Sequence, residues 1–173
     1  MPFKKKVGNK YVFGFMNESG KIVIPAKYGF AYPFGRNGLA IIQNGDKVCA
    51  IDNTGKEVVP FGAYDNMGRG FKNGNNIAHI GKTAYLINKE GAIIKTLVNS
   101  NEDVWCGNYY FGDYLVIGEG TDMKYIFDCN GNIFWKGHAN AYSINAEKGT
   151  IVMGKNNGDK TETITETEVP YNW

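Results

Sequence analysis

The side chains of this 173-residue sequence best suited to hold a metal or act as a nucleophile are two histidines, His79 and His138, and three cysteines, Cys49, Cys106 and Cys129. Their spacing supports neither role. No Cys-x-x-Cys pair occurs, and neither histidine has a cysteine or carboxylate at zinc-ligand spacing. His79 falls in a strand-like run as a packed or surface imidazole, His138 in a short loop, and an odd cysteine count fits reduced thiols. Gly81-Lys82-Thr83 copies the end of a phosphate loop, but the required first glycine falls on Asn76 and the segment joins two strand-like runs. Neither Gly-x-Ser-x-Gly nor His-Glu-x-x-His is present. The expectation is a protein that is not an enzyme, with no catalytic residue, metal or cofactor.

Binding chemistry is better represented. Aromatic residues gather in the longer segments between strand-like runs: Tyr28, Phe30, Tyr32 and Phe34, then Phe61, Tyr64 and Phe71, then Trp105, Tyr109, Tyr110 and Phe111. The two arginines, Arg36 and Arg69, stand among glycines at what look like equivalent loop positions. Trp, Tyr and Arg dominate interface energetics. The candidate binding set is therefore Trp105, Tyr109, Tyr110, Tyr64, Tyr28, Arg36 and Arg69, with Phe34 and Phe71 expected beneath the loops as core.

These loops need elements to position them, and glycine supplies the pattern. The chain holds 23 glycines, about twice the usual share of ~7%. Four segments place Asn or Asp three residues before a glycine: Asn17 to Gly20, Asp52 to Gly55, Asn88 to Gly91 and Asp128 to Gly131. The glycines are 35, 36 and 40 residues apart. A short Asx side chain accepts backbone N–H bonds from the following turn, and a glycine three later takes the left-handed conformation of a bulged turn. Each turn opens into an apolar run: Ile22-Val23-Ile24, Val58-Val59, Ile93-Ile94 and Ile133-Phe134-Trp135. A second turn keeps the same period, at Gly8-Asn9, Asn44-Gly45, Gly81-Lys82, Gly118 to Asp122, and Asn157-Gly158. Each unit thus reads as three strands, two tight turns and a longer loop.

These residues resemble the WG (Trp-Gly) β-hairpin repeat family of bacterial proteins, whose unit runs roughly GLAxVxxxGKWGFIDxxGKxVIPxxYDxxxxF. Gly38-Leu39-Ala40 begins such a unit, and Phe13-Gly14-Phe15-Met16-Asn17 stands where WGFID would. Gly20-Lys21-Ile22-Val23-Ile24-Pro25 and Gly55-Lys56-Glu57-Val58-Val59-Pro60 match GKxVIP, and the later YD falls on Tyr64-Asp65. The likeness runs over about residues 10–135 and fades after the second unit; no unit keeps the Trp-Gly pair itself. The resemblance implies a repeat architecture and interaction, not a reaction.

The expected fold is all-β, a single domain of about five three-stranded antiparallel meanders, with units near 1–37, 38–75, 76–112, 113–148 and 149–173. One meander cannot bury both its faces, so units must stack, either as a closed propeller-like body or as an open β-solenoid. Lys4, Lys5, Lys6 and Lys10 at the front and Glu162, Glu166 and Glu168 at the back suggest that the last strand pairs beside the first and closes the array. A net charge of +2 argues against nucleic acid or an anionic membrane. No run reaches the ~20 apolar residues of a membrane helix, and no leader is recognisable, so a cytoplasmic location is expected. The leading functional expectation is binding of a protein partner, as an inhibitor, immunity protein or adaptor. The alternative is a nucleotide, sugar or other small anion held by the same aromatic loops and by Arg36 and Arg69.

Overall fold

A computed structural model describes residues 1–107, 114–139, 141–145, 150–156 and 161–168. The described elements are strands, arranged as five antiparallel sheets in chain order. The first sheet holds β1 (Pro2–Val7), β2 (Lys10–Met16) and β3 (Ile22–Tyr28). The second holds β4 (Phe30–Ala31), β5 (Leu39–Asn44), β6 (Lys47–Asp52) and β7 (Glu57–Val59). The third holds β8 (Asn66–Met67), β9 (Asn75–Ile80), β10 (Thr83–Asn88) and β11 (Ile93–Asn99). The fourth holds β12 (Val104–Cys106), β13 (Leu115–Glu119), β14 (Met123–Phe127) and β15 (Ile133–His138). The fifth holds β16 (Ala141–Asn145), β17 (Thr150–Asn156) and β18 (Thr161–Glu168).

The middle strands of the second, third and fourth sheets are apolar on both faces because each of these sheets is covered twice. On β5 and β6, Ala40, Ile42, Cys49 and Ile51 pack with Phe15 and Ile24 of the first sheet. Their neighbours Leu39, Ile41, Val48 and Ala50 pack with Met67, Ala78 and Ile87 of the third. The third and fourth sheets share Ile77, Leu86, Ile117 and Phe127; the fourth and fifth share Val116, Ile126 and Met153. Full burial of one such aliphatic side chain stabilises by about 1.5–3 kcal/mol. The core is therefore a series of four inter-sheet layers rather than one central cluster.

The four Asx turns form as expected. Asn17 Oδ1 accepts the Lys21 N–H at 2.9 Å, Asp52 Oδ1 the Lys56 N–H at 3.1 Å, Asn88 Oδ1 the Ala92 N–H at 2.9 Å and Asp128 Oδ1 the Asn132 N–H at 2.8 Å. Gly20, Gly55, Gly91 and Gly131 have φ between +74° and +87°. The pairing register slips directly beside each turn, as a bulge requires.

Three expectations are corrected. The loops are not wholly irregular, since β4, β8 and β12 add a short, partly buried fourth strand that begins the second, third and fourth sheets. Runs of two or three residues are too short to show alternation in sequence. Gly118 is a strand residue paired with Lys124, and the turn glycine is Gly120, with φ +56°. Finally, the last strand does not pair with the first: among the described residues β18 joins only β17, and β1 joins only β2. Among the described residues no sheet closes the array.

Candidate functional site

The strand directions assign each loop to an end. In the second, third and fourth sheets, β5, β9 and β13 run from the end carrying the Asx turns to the end carrying the tight hairpins. The short strands β4, β8 and β12 run the opposite way, so the loops that follow them return to the Asx end. There they form an inner rim beside the turns. Backbone bonds fix the equivalence of these loops: Tyr32 N–H to Ile41 O at 2.9 Å, Gly68 N–H to Ile77 O at 2.9 Å and Gly107 N–H to Val116 O at 2.7 Å.

This register separates the two arginines. With Tyr32, Gly68 and Gly107 equivalent, Arg69 falls at the position of Pro33, and Arg36 at that of Lys72. Arg36 is exposed. Arg69 is half-buried, with its guanidinium carbon 5.4 Å from the centre of the Tyr32 ring, a cation–π contact between neighbouring sheets. Its Nε is buried and makes no hydrogen bond. Beside it lies a small cleft of about 20 Å³ between the third and fourth sheets, lined by Arg69, Lys72, Asn76, Ile77, Tyr114 and Val116 together with glycine backbone.

The aromatic candidates divide. Tyr28 and Tyr64 are buried, at 5% and 7% exposure, and belong to the inter-sheet layers. The Tyr64 hydroxyl donates to Gly91 O at 2.7 Å, tying the second sheet's exit loop to the next Asx turn. Trp105 stands in β12, not in a loop, paired with Gly118. A Cβ on Gly118 would lie 1.9 Å from the Trp105 ring, so the indole lies flat where only glycine fits. Lys124, itself buried, places its ammonium 5.0 Å from the same ring, and burial holds its pKa below the usual lysine range. Tyr109 and Tyr110 lie outside the described residues. Phe34 and Phe71 pack into the core layers as expected.

The remaining chemistry is structural. Burial pushes the Cys49 thiol up to about 12 and the Cys106 thiol higher still, so neither is a thiolate at neutral pH. Gly81 lies in a hairpin turn, its N–H donating to Asp65 Oδ2 at 2.6 Å, which removes any phosphate-loop role. His138 ends β15 and lies 3.3 Å from Asp122, a partner the sequence did not reveal. Among the described residues no three His, Cys, Asp or Glu side chains converge as metal ligands. At the hairpin end Glu119 accepts from the Ser100 hydroxyl and, at 2.5 Å, from Tyr125. The Ser100 bond, with Tyr125 second, holds Glu119 below the usual carboxylate range, while burial and that carboxylate push Tyr125 to about 12.

Sequence reasoning missed one surface. Ile22, Val23, Ile93, Ile94 and Ile133 are 48–59% exposed, at the same position just after the Asx turn in three outer strands. The signal was present as apolar pairs that do not alternate with polar residues.

The comparisons agree with this architecture. No curated protein matches the sequence. Among solved structures, Kluyveromyces lactis Hsv2 is similar with a TM-score of 0.57 at 8% identity, over 84% of this chain and 52% of that one. The WD40 domain of Toxoplasma gondii coronin is similar with a TM-score of 0.50 at 10% identity, over 92% of this chain and 53% of that one. This chain spans about half the length of either, and the likeness is one of fold, a propeller-like succession of antiparallel sheets. The family model for the WG containing repeat matches residues 13–47. That stretch runs from β2 to the start of β6, and it is there that the chain is similar to the WG repeats its first turns resemble.

Proposed function

We propose that this chain is a non-enzymatic protein-interaction module acting in the cytoplasm, of the inhibitor, immunity or adaptor kind. The observation that carries the reading is the recurrent aliphatic pair on the outer strands. Ile22-Val23 and Ile93-Ile94 leave about half of each side chain in water, and Ile133 continues the series in the fourth sheet. Exposed apolar residues scattered singly need no explanation, but a repeated set at one structural position marks a contact surface. The same strands form the outer edges of their sheets, so a partner could also engage unpaired backbone groups there. Trp105 of β12, with Tyr109 and Tyr110 of the aromatic set predicted from the sequence, would add to the contact.

The test is affinity capture from the native host with the whole chain and with an Ile93→Glu/Ile94→Glu variant. Both positions are exposed, so the variant keeps its fold, which circular dichroism and a melting curve verify. A stoichiometric protein held by the parent and lost by the variant supports the reading. A partner indifferent to this variant but lost with Tyr109→Ala/Tyr110→Ala would move the surface to that aromatic segment. No protein partner, together with strong thermal stabilisation by a sugar or nucleotide, would overturn it.

A further inference from the structure

The layer between the second and third sheets is packed at its centre and opens at the hairpin end. There a pocket of about 180 Å³ lies between β5, β6 and β8. Its floor is apolar: Ile41, Val48 and Met67 are buried and belong to the layer itself. Its rim is polar and more open, with Tyr32, Gln43 and Asn66 half-buried and Asp46 exposed in the hairpin turn. The rim side chains keep bonding capacity. Gln43 donates from Nε2 to Gly45 O at 2.9 Å, which leaves Oε1 as an acceptor. Asn66 accepts the Met67 N–H on Oδ1 at 2.8 Å, which leaves Nδ2 as a donor. Among the described residues the Asp46 carboxylate is in no ion pair. The Tyr32 ring is held by Phe30, with ring centres 4.9 Å apart, and by the Arg69 guanidinium at 5.4 Å. A wall fixed in this way spares a ligand the cost of ordering it.

We infer that this pocket binds a neutral hexose, either alone or as the end unit of a glycan. A cavity of about 150 Å³ accepts a benzene ring, so the space suits one six-membered ring. A sugar ring has an apolar C–H face for the floor and hydroxyls around its edge for the rim. Each hydroxyl both donates and accepts, which is what a carboxylate, an amide oxygen, an amide NH₂ and a phenol together require. The pocket is a poor fit for an anion, because Asp46 repels it and no Lys, Arg or His is in the lining. An ammonium group offers donors only and leaves Asn66 Nδ2 unanswered. The pocket lies at the hairpin end, opposite the outer-strand pairs that follow the Asx turns. A sugar held here is therefore independent of a protein held on those strands.

Isothermal titration of the whole chain with the methyl glycosides of glucose, galactose and mannose, and with phosphate and putrescine for contrast, tests it. The parent should bind at least one glycoside at a single saturable site, and neither contrast ligand. Tighter binding of a disaccharide ending in that sugar would assign the end of a glycan, and equal or weaker binding the single sugar. Asp46→Ala should weaken the sugar about tenfold, the loss of a bond to a charged acceptor, and Tyr32→Phe about threefold. Arg36→Ala, at the opposite end of the sheets, should change nothing. No saturable binding of any of the three glycosides, saturable phosphate or putrescine in their place, or full affinity in a folded Asp46→Ala overturns the inference. Should Asp46→Ala fail to fold, Asp46→Asn decides: it keeps the side chain's size and removes the carboxylate, so parental affinity overturns the assignment.

Discussion

The Asx turns and the inner loops occupy the same end of the sheets, yet they are built on opposite principles. The turns repeat one design four times, down to the bonds from the following backbone into Asn17, Asp52, Asn88 and Asp128. Three of their glycines, Gly55, Gly91 and Gly131, are also covered by the preceding sheet. A Cβ on Gly55 would lie 3.4 Å from Ile24, one on Gly91 2.7 Å from Val59 and one on Gly131 2.9 Å from Leu97. Among the described residues the inner loops share one backbone bond, at Tyr32, Gly68 and Gly107, and the first two then diverge: Pro33 stands in one where Arg69 stands in the next. Where the chain must hold sheet against sheet, the side chains are fixed. Along the inner rim they vary, and there Arg69 meets the Tyr32 ring of the neighbouring sheet.

The largest effect that could break this contrast is at Gly91. Gly91→Val combines a left-handed φ of +80° with collision against Val59, and should cost roughly 2–5 kcal/mol in urea unfolding. Gly8→Val, at φ +59° with nothing within 4 Å of its Cβ, carries only the backbone cost of about 1–2 kcal/mol. Equal losses would show that the covering of the turns contributes nothing. Next in size is Tyr64→Phe, which strips the hydroxyl from Gly91 O and should cost about 1 kcal/mol. Lys95 does the same work one repeat later, its Nζ donating to Gly131 O at 2.8 Å from a more exposed position, so Lys95→Met should cost less.

Acid sharpens the comparison further. Asp52 is held below its ordinary pKa, first by the Thr54 hydroxyl and then by backbone N–H groups. At Asp128 burial pushes upward but the bonds from Asn132 and Asn130 outweigh it, leaving that pKa lowered too. A depressed folded-state pKa contributes stability that is present above the unfolded value, near ~3.9, and is lost as pH falls through the folded one. Asn17 and Asn88 accept equivalent bonds without titrating. The Asp52→Asn/Asp128→Asn variant should therefore match the parent at pH 7 and lose less stability than it does below pH ~4. An unchanged acid limb would mean that the turn carboxylates do not govern it.

What was legible in the sequence follows the same division. The Asx turns could be read because their chemistry is local, an acceptor and a glycine three residues apart. Stacking could be read because one three-stranded meander cannot bury both its faces. The buried strands β4, β8 and β12 could not, since two or three residues carry no period. Nor could the register of the rim: the loops from β4 to β5 and from β8 to β9 are equally long, and the flanking glycines suggest that Arg36 matches Arg69, while the hydrogen bonds match it to Lys72. Tyr28 and Tyr64 misled for a related reason. They sit in segments that look like loops but lie beneath them, where an aromatic ring fills the gap between two sheets.

The smallest predicted effect tests the inner rim directly. Arg36 is exposed, occupies the register position of Lys72 and stands in a loop tied by Gly35 N–H to Leu39 O at 2.9 Å, a bond that involves no side chain. Removing its charge leaves that bond and the layers beneath it intact. Arg36→Ala should therefore change unfolding stability by no more than about 0.5 kcal/mol, half the loss expected for Tyr64→Phe or less. If the two cost the same by urea denaturation, the rim loops hold the sheets together as firmly as the Asx turns beside them do, and the freedom of the rim to carry variable chemistry is lost.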